Sequence, residues 1–175
     1  MNHDSRSLTN SATPPADLGF SGAQSTSPNP GGARSTHKVL TCKTTTRMEL
    51  INLTEQVREA VRESGVRDGL VLVSSMHTTF SVMVNEWQEA LLEDIRNMLG
   101  TVVPVDREYR HNDPRYSDCD RQNAHAHLQA VLLRHSITFG VIGGVLTLGQ
   151  FQAIIAAELD GPRERQVTVQ ILAFA

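Results

Sequence analysis

The sequence predicts an α+β domain dominated by antiparallel strand pairs. Three observations carry this. From Ser136 onward the chain alternates in the two-residue period of strands, most cleanly where Val167, Val169 and Ile171 face away from Thr168 and Gln170. The joints there are short: Gly143-Gly144 is a hairpin signal, and Asp160-Gly161-Pro162-Arg163 is a turn. Only three stretches carry a helical stripe behind a capping residue.

Taken in order, residues 1–36 read as a disordered tail and 37–175 as one domain. More than half of the tail is Ser, Thr, Pro or Gly, and no apolar period runs through it, so it cannot offset its ordering entropy. It has neither the apolar block of a secretory signal nor the Arg excess of a transit peptide. His37 to Thr46 is rich in Val, Leu and Thr and reads as a strand. Asn52-Leu53-Thr54-Glu55 matches a capping box, opening a helix to about Ser64 that Gly65 ends. Leu70 to Ser75 reads as a buried strand, and Phe80 to Val84 as a half-buried one. Asn85-Glu86-Trp87-Gln88 is expected to cap a second helix with Trp87, Leu91, Ile95 and Met98 on its stripe. Asp106 to Gln122 is a long polar loop. Asn123 then caps a third helix to about Arg134, before strands at Ser136–Ile142, Val145–Leu148, Phe151–Leu159 and Gln166–Phe174.

Composition narrows the function. The formal charge is −3 and aromatics are 5% of the 175 residues, which disfavours nucleic-acid binding. No apolar run is long enough for a membrane span. The two cysteines, Cys42 and Cys119, lack the spacing of a disulfide framework or a Cys-rich zinc site. The expectation is a soluble, cytoplasmic protein in a reducing compartment.

Seven histidines are many for this length. His77 follows the apolar run Leu70–Met76 and precedes two hydroxyls, Thr78 and Thr79. His111 sits in the long loop. On the third helix His127 falls beside an apolar stripe of Ala124, Leu128, Val131 and Leu132 and is expected to point inward. His125, about 200° away, is expected to point out. Each of these can be a structural histidine bonded to a carbonyl. Alternatively, His77, His111 and His127 gather at one site, where three imidazoles with an open fourth position suit a zinc-like cation. Glu86, Asp94 and Asp160 are the nearby carboxylates, and Glu86 equally suits a helix start. Arg163 and Arg165 flank a turn and can hold an anion.

The ordered series His77-Thr78-Thr79, Asn85-Glu86, Tyr109-Arg110-His111, Asn123 with Ala126-His127-Leu128, Leu148-Gly149 with Gln152, and Asp160-Gly161-Pro162-Arg163 resembles the YjbQ family from about His37 to the C-terminus. One motif departs: Gly149-Gln150-Phe151-Gln152 stands where the family usually has Gly-Thr-Trp-Gln. The resemblance implies two packed, mainly antiparallel sheets with a few helices, assembled as a homotrimer. It implies a weak thiamine-phosphate synthase activity, joining a thiazole phosphate to a pyrimidine diphosphate in a histidine-lined cleft. Catalysis would fall to His77, His111, His127 and Glu86, with Thr78, Thr79, Asn85, Asn123, Gln152, Asp160 and Arg163 binding substrate. The same three histidines would hold any metal, zinc-like, or magnesium where a diphosphate is the substrate. The alternatives are metal-assisted hydrolysis of a small phosphate or ester, and a non-catalytic ligand- or metal-binding trimer. Two C-terminal strands are apolar on both faces, Ile154 and Ala156 lying opposite Phe151, Ala153 and Ile155, and Leu172 and Phe174 opposite Val169 and Ile171, which adds the expectation that symmetry-related copies supply a second covering layer.

Overall fold

The computed structural model describes residues 27–28 and 34–174. The tail expectation therefore lies largely outside the described residues. Within them, β1 (Ser27–Pro28) pairs antiparallel with the start of β2 (Arg34–Lys43), which begins three residues inside the stretch read as tail. The remaining elements are β3 (Glu49–Asn52), α1 (Thr54–Ser64), β4 (Gly69–Ser75), β5 (Phe80–Asn85), α2 (Glu89–Val102), a 3-10 turn at Arg110–Asn112, α3 (Ala124–Leu132), β6 (Ser136–Ile142), β7 (Val145–Leu146), β8 (Ala153–Glu158) and β9 (Glu164–Ala173).

They build two antiparallel sheets: six strands in the order β1-β2-β9-β4-β6-β7, and three in the order β3-β8-β5. One core lies between the sheets and α1, with Val57, Val71, Phe80, Ile154 and Val169 among its members. A second lies between the three-stranded sheet and α2 and α3, built on Leu92, Leu99, Ala126, Ala130 and Ile155. Every residue of β8 is buried. Its second apolar face is thus covered by helices of the same chain, and the inference of covering copies from this strand does not hold.

The cores also reverse two strand readings. β5 is buried on both faces because it belongs to the inner sheet, whereas β4 alternates, with Val71 and Val73 inward and Leu70 37% exposed on the outer face. In α2 the inward stripe is Leu92, Ile95 and Leu99, while Trp87 precedes the helix and Met98 is exposed. Gln88 alone caps it, its side chain accepting from the Leu91 N–H. The capping box of α1 is not made either: Asn52 ends β3, its Oδ1 accepts from Thr54 N–H, and Glu55 pairs with Arg58.

α3 shows the largest difference. Its buried face is His125, Ala126, Gln129 and Ala130, and Leu128, Val131 and Leu132 are exposed. Small side chains let the helix approach α2 and β5 closely. Gln129 Nε2 donates to the Leu99 and Val103 carbonyls at the end of α2, adding to the Val103 N–H bond that Leu99 already accepts and giving the Val103 carbonyl a partner past the last helical turn. A search for large apolar residues selects the wrong face, because close packing here uses alanine and one amide. Among the described residues no helix is long and apolar enough to cross a membrane.

Candidate functional site

A cleft of about 430 Å³ opens where the turn after β4, the long loop, the start of α3 and the β8–β9 turn meet. His77, His111 and His127 all line it, as do Thr78, Thr79, Asn123, Asp160 and Arg163. The loop also contributes Cys119 and Arg121, and β9 contributes Arg165.

The turn after β4 is set by Ser75, whose Oγ donates to Phe80 O and accepts from His77 N–H. His77 Nε2 accepts the backbone N–H of Gln166 at 2.9 Å, which leaves the ring proton on Nδ1. Burial, and then the Arg165 charge, hold His77 below the ordinary imidazole range. His111 comes from the 3-10 turn and meets His127 edge-to-face, ring centroids 5.0 Å apart. His127 is likewise lowered, by burial and then by His111. His125 does not reach the cleft: it is 2% exposed, turned inward rather than out, and its Nδ1 has no partner among the described residues.

The opposite wall is charged. Asp160 Oδ2 accepts from Asn123 Nδ2 (2.9 Å), Arg121 Nε and Arg163 Nη2 (both 3.2 Å). Asn123 therefore holds Asp160 rather than capping α3, whose first N–H is met instead by Asn112 Oδ1. Behind it, fully buried Glu158 grips Arg165 in a fork, both contacts 2.6 Å, and takes the N–H groups of Leu159 and Asp160. Arg165 passes this order to the cleft through a 2.9 Å bond to Thr79 Oγ1. The turn needs Gly161, since a Cβ there would lie 2.3 Å from the Thr46 carbonyl and 2.8 Å from Glu158 Cγ. Three guanidiniums face two carboxylates, so one cationic charge is in excess before any imidazole is protonated.

Asn85, Glu86 and Gln152 stand elsewhere. Glu86 and Gln152 line a separate groove of about 550 Å³ with Asn52, Trp87 and Phe151. Asn85 lies at the far end of β5, opposite Ala153, and bonds the Glu86 N–H. Within one chain these residues do not join the histidine cleft.

Arg121 and Glu158 carry the cleft and were missed in the sequence. A signal for Glu158 existed, because a carboxylate ending the wholly apolar run Ala153–Ala157 needs a buried cation. Arg121 left no comparable mark. The arrangement does not fit a three-histidine metal centre: His77 Nε2 is already engaged, and guanidiniums share the cavity. Among the described residues no group of three His, Cys, Asp or Glu is placed to hold a metal ion.

Comparisons with known proteins agree with this architecture. The family model described as UPF0047 protein YjbQ-like matches residues 38–173. A UPF0047 protein of Methanothermobacter thermautotrophicus is 43% identical over 75% of this chain and 88% of its own length. One of Archaeoglobus fulgidus is 44% identical over 76% and 98%. A crystal structure from Sulfolobus solfataricus P2, described as a YjbQ-like (there spelled YbjQ-like) protein of unknown function, superposes with a TM-score of 0.76 at 35% identity, covering 81% of this chain and 99% of that one. A hypothetical protein from Aeropyrum pernix K1 gives 0.72 at 35% identity, covering 79% and 98%. With its two antiparallel sheets, few helices and matched motifs, the chain belongs to the YjbQ/UPF0047 family.

Proposed function

We propose that the cleft binds a small phosphate-type anion and exchanges a proton with it through His111 and His127. The observation that supports this is the convergence of Arg121, Arg163 and Arg165 with three imidazoles in one cavity. Guanidiniums match phosphate oxygens with paired, charge-assisted hydrogen bonds. Asp160 holds Arg121 and Arg163, and Glu158 holds Arg165, before any ligand arrives, which lowers the ordering cost of binding. His111 and His127 are close enough that a charge on one opposes a charge on the other. Burial, and then His111, hold His127 below the ordinary imidazole range, which favours its neutral, proton-accepting form.

Titration calorimetry with inorganic phosphate and pyrophosphate tests the reading. Binding is expected, and Arg163→Ala should weaken it at least about tenfold by removing a charge-assisted contact. Absence of binding at millimolar anion, or an Arg163→Ala variant that binds as well, overturns the reading. Thiamine-phosphate synthesis is a finer proposal of the same kind, since both its substrates carry phosphate. A product assay with His127→Ala beside the parent chain reads it directly.

Assembly as a homotrimer is proposed from the family resemblance. The outer face of the six-stranded sheet supports self-association, because Leu70 and Leu172 pair in register there and are each more than a third exposed. Light scattering at micromolar concentration should return three times the mass of one chain, and a monomer's mass rejects it.

A further inference from the structure

The histidine cleft and the groove that holds Glu86 lie at opposite ends of one strand. β5 leaves the cleft at Phe80, just after Thr79, and ends at Asn85 beside Glu86, about 17 Å away at about 3.3 Å per residue. Each end is electrically unfinished. In the cleft, Asp160 is committed to Arg121 and Arg163 and Glu158 to Arg165, which leaves one guanidinium charge in excess. In the groove the balance is reversed. Glu55 pairs with Arg58, and the Glu86 carboxylate has no ion pair or hydrogen bond among the described residues. Both ends also expose large apolar side chains: Met76 at the cleft, Trp87 and Phe151 at the groove.

We infer that the groove of one copy of this chain docks over the histidine cleft of a second copy, so that Glu86 of one subunit faces the guanidiniums of the next and the site is complete only in the assembly. The inference deepens the homotrimer reading above and rests on it. Charge decides the pairing. Groove against groove sets two unpaired Glu86 carboxylates together, and cleft against cleft sets two cationic sites together, and like charges across an interface are disfavoured. Cleft against groove pairs opposite charges and covers Trp87 and Phe151 with the apolar rim of the cleft, where aromatic side chains contribute most to association. Such a contact uses a different surface on each partner. It therefore runs head to tail and leaves no open end only when the copies close into a ring. Chemically, docking brings to the cleft a carboxylate that no guanidinium of its own chain holds.

Cross-linking of the full chain tests this. Cys119 lines the cleft and Cys42 is buried, so one engineered thiol in the groove reports the pairing. Phe151→Cys and, separately, Gln150→Cys are treated with a short bis-maleimide and run on a denaturing gel. At least one is expected to give covalent dimers and trimers, while the parent chain stays monomeric and an added Cys119→Ser abolishes the ladder. Glu86→Arg in the cross-linking variant should cut the linked fraction at least about threefold, because it sets like charges across the contact. An unchanged fraction overturns the placement of Glu86 at the cleft. Light scattering on the same samples separates the two readings. A monomer's mass overturns the trimer and this inference together. An oligomer in which neither groove thiol links to Cys119 overturns the docking alone, and so does a ladder that survives Cys119→Ser.

Discussion

Glu158→Gln is expected to lower stability by about 3–5 kcal/mol, the usual cost of leaving one member of a buried ion pair unpaired. Glu158 is wholly buried and Arg165 is 5% exposed, so water cannot replace the lost carboxylate. The amide retains one acceptor, yet it cannot neutralise the guanidinium or accept both of its arms. It also stops serving the N–H groups of Leu159 and Asp160 with an anion. For a chain of this size the midpoint of thermal unfolding should fall by roughly 10 °C. The double variant Glu158→Leu with Arg165→Met should recover most of that loss, because two apolar side chains can fill the space without a charge to satisfy. Its phosphate affinity should nonetheless stay low, since the Arg165 contact with Thr79 is gone. A midpoint within about a degree of the parent for Glu158→Gln would show that the pair contributes nothing net. Equal phosphate affinity in the double variant would remove Arg165 from the site.

What could be read from the sequence follows the physics of each signal. Antiparallel alternation in β9 was legible because one of its faces is core and the other is not. The readings of β4 and β5 were exchanged because leucine on an outer sheet face and leucine in a core look alike, and only the layer order separates them. The turn of α3 was misread for the converse reason: its interior is alanine, glutamine and histidine. Convergence of His77, His111 and His127 on one cleft followed from the motif series rather than from spacing, since they come from three separate elements. Glu86 and Gln152 occur in the same series but fold into another groove, the far end of β5 and the start of β8 lying away from the turn that bears His77. Order along a chain does not report which end of a strand a residue occupies.

Stability should also fall between about pH 7 and pH 5, and histidines should cause it. In the unfolded chain an imidazole titrates near pH 6.5. Folding lowers the value for His125, through burial and then the Arg47 charge, with His127 adding to the effect and Asp160 opposing it. His77 and His127 are lowered as well, again with burial as the first cause. A group with a depressed folded value is neutral in the native state while the unfolded chain is already taking up its proton. Unfolding therefore binds protons in that window, and stability rises with pH across it. The contribution is fully present above about pH 6.5 and is lost as pH falls through the lower folded values. Each proton taken up contributes at most about 1.4 kcal/mol per pH unit. His125 should approach that limit most nearly, being 2% exposed with Nδ1 unpartnered, whereas solvent screens the two half-buried rings of the cleft. The lowered carboxyls of Glu49 and Asp113 act in the same sense but below the ordinary carboxylate range, so they leave this window untouched. Urea unfolding at half-unit steps from pH 7.5 to 5.0 measures the slope, and His125→Gln should flatten it by up to one proton while His127→Gln removes less. A flat profile in the parent chain, or a slope unchanged in both variants, would mean that these imidazoles are protonated as readily in the folded state as in the unfolded one. His125 would then have to find, as pH falls, a partner for its second N–H inside the second core.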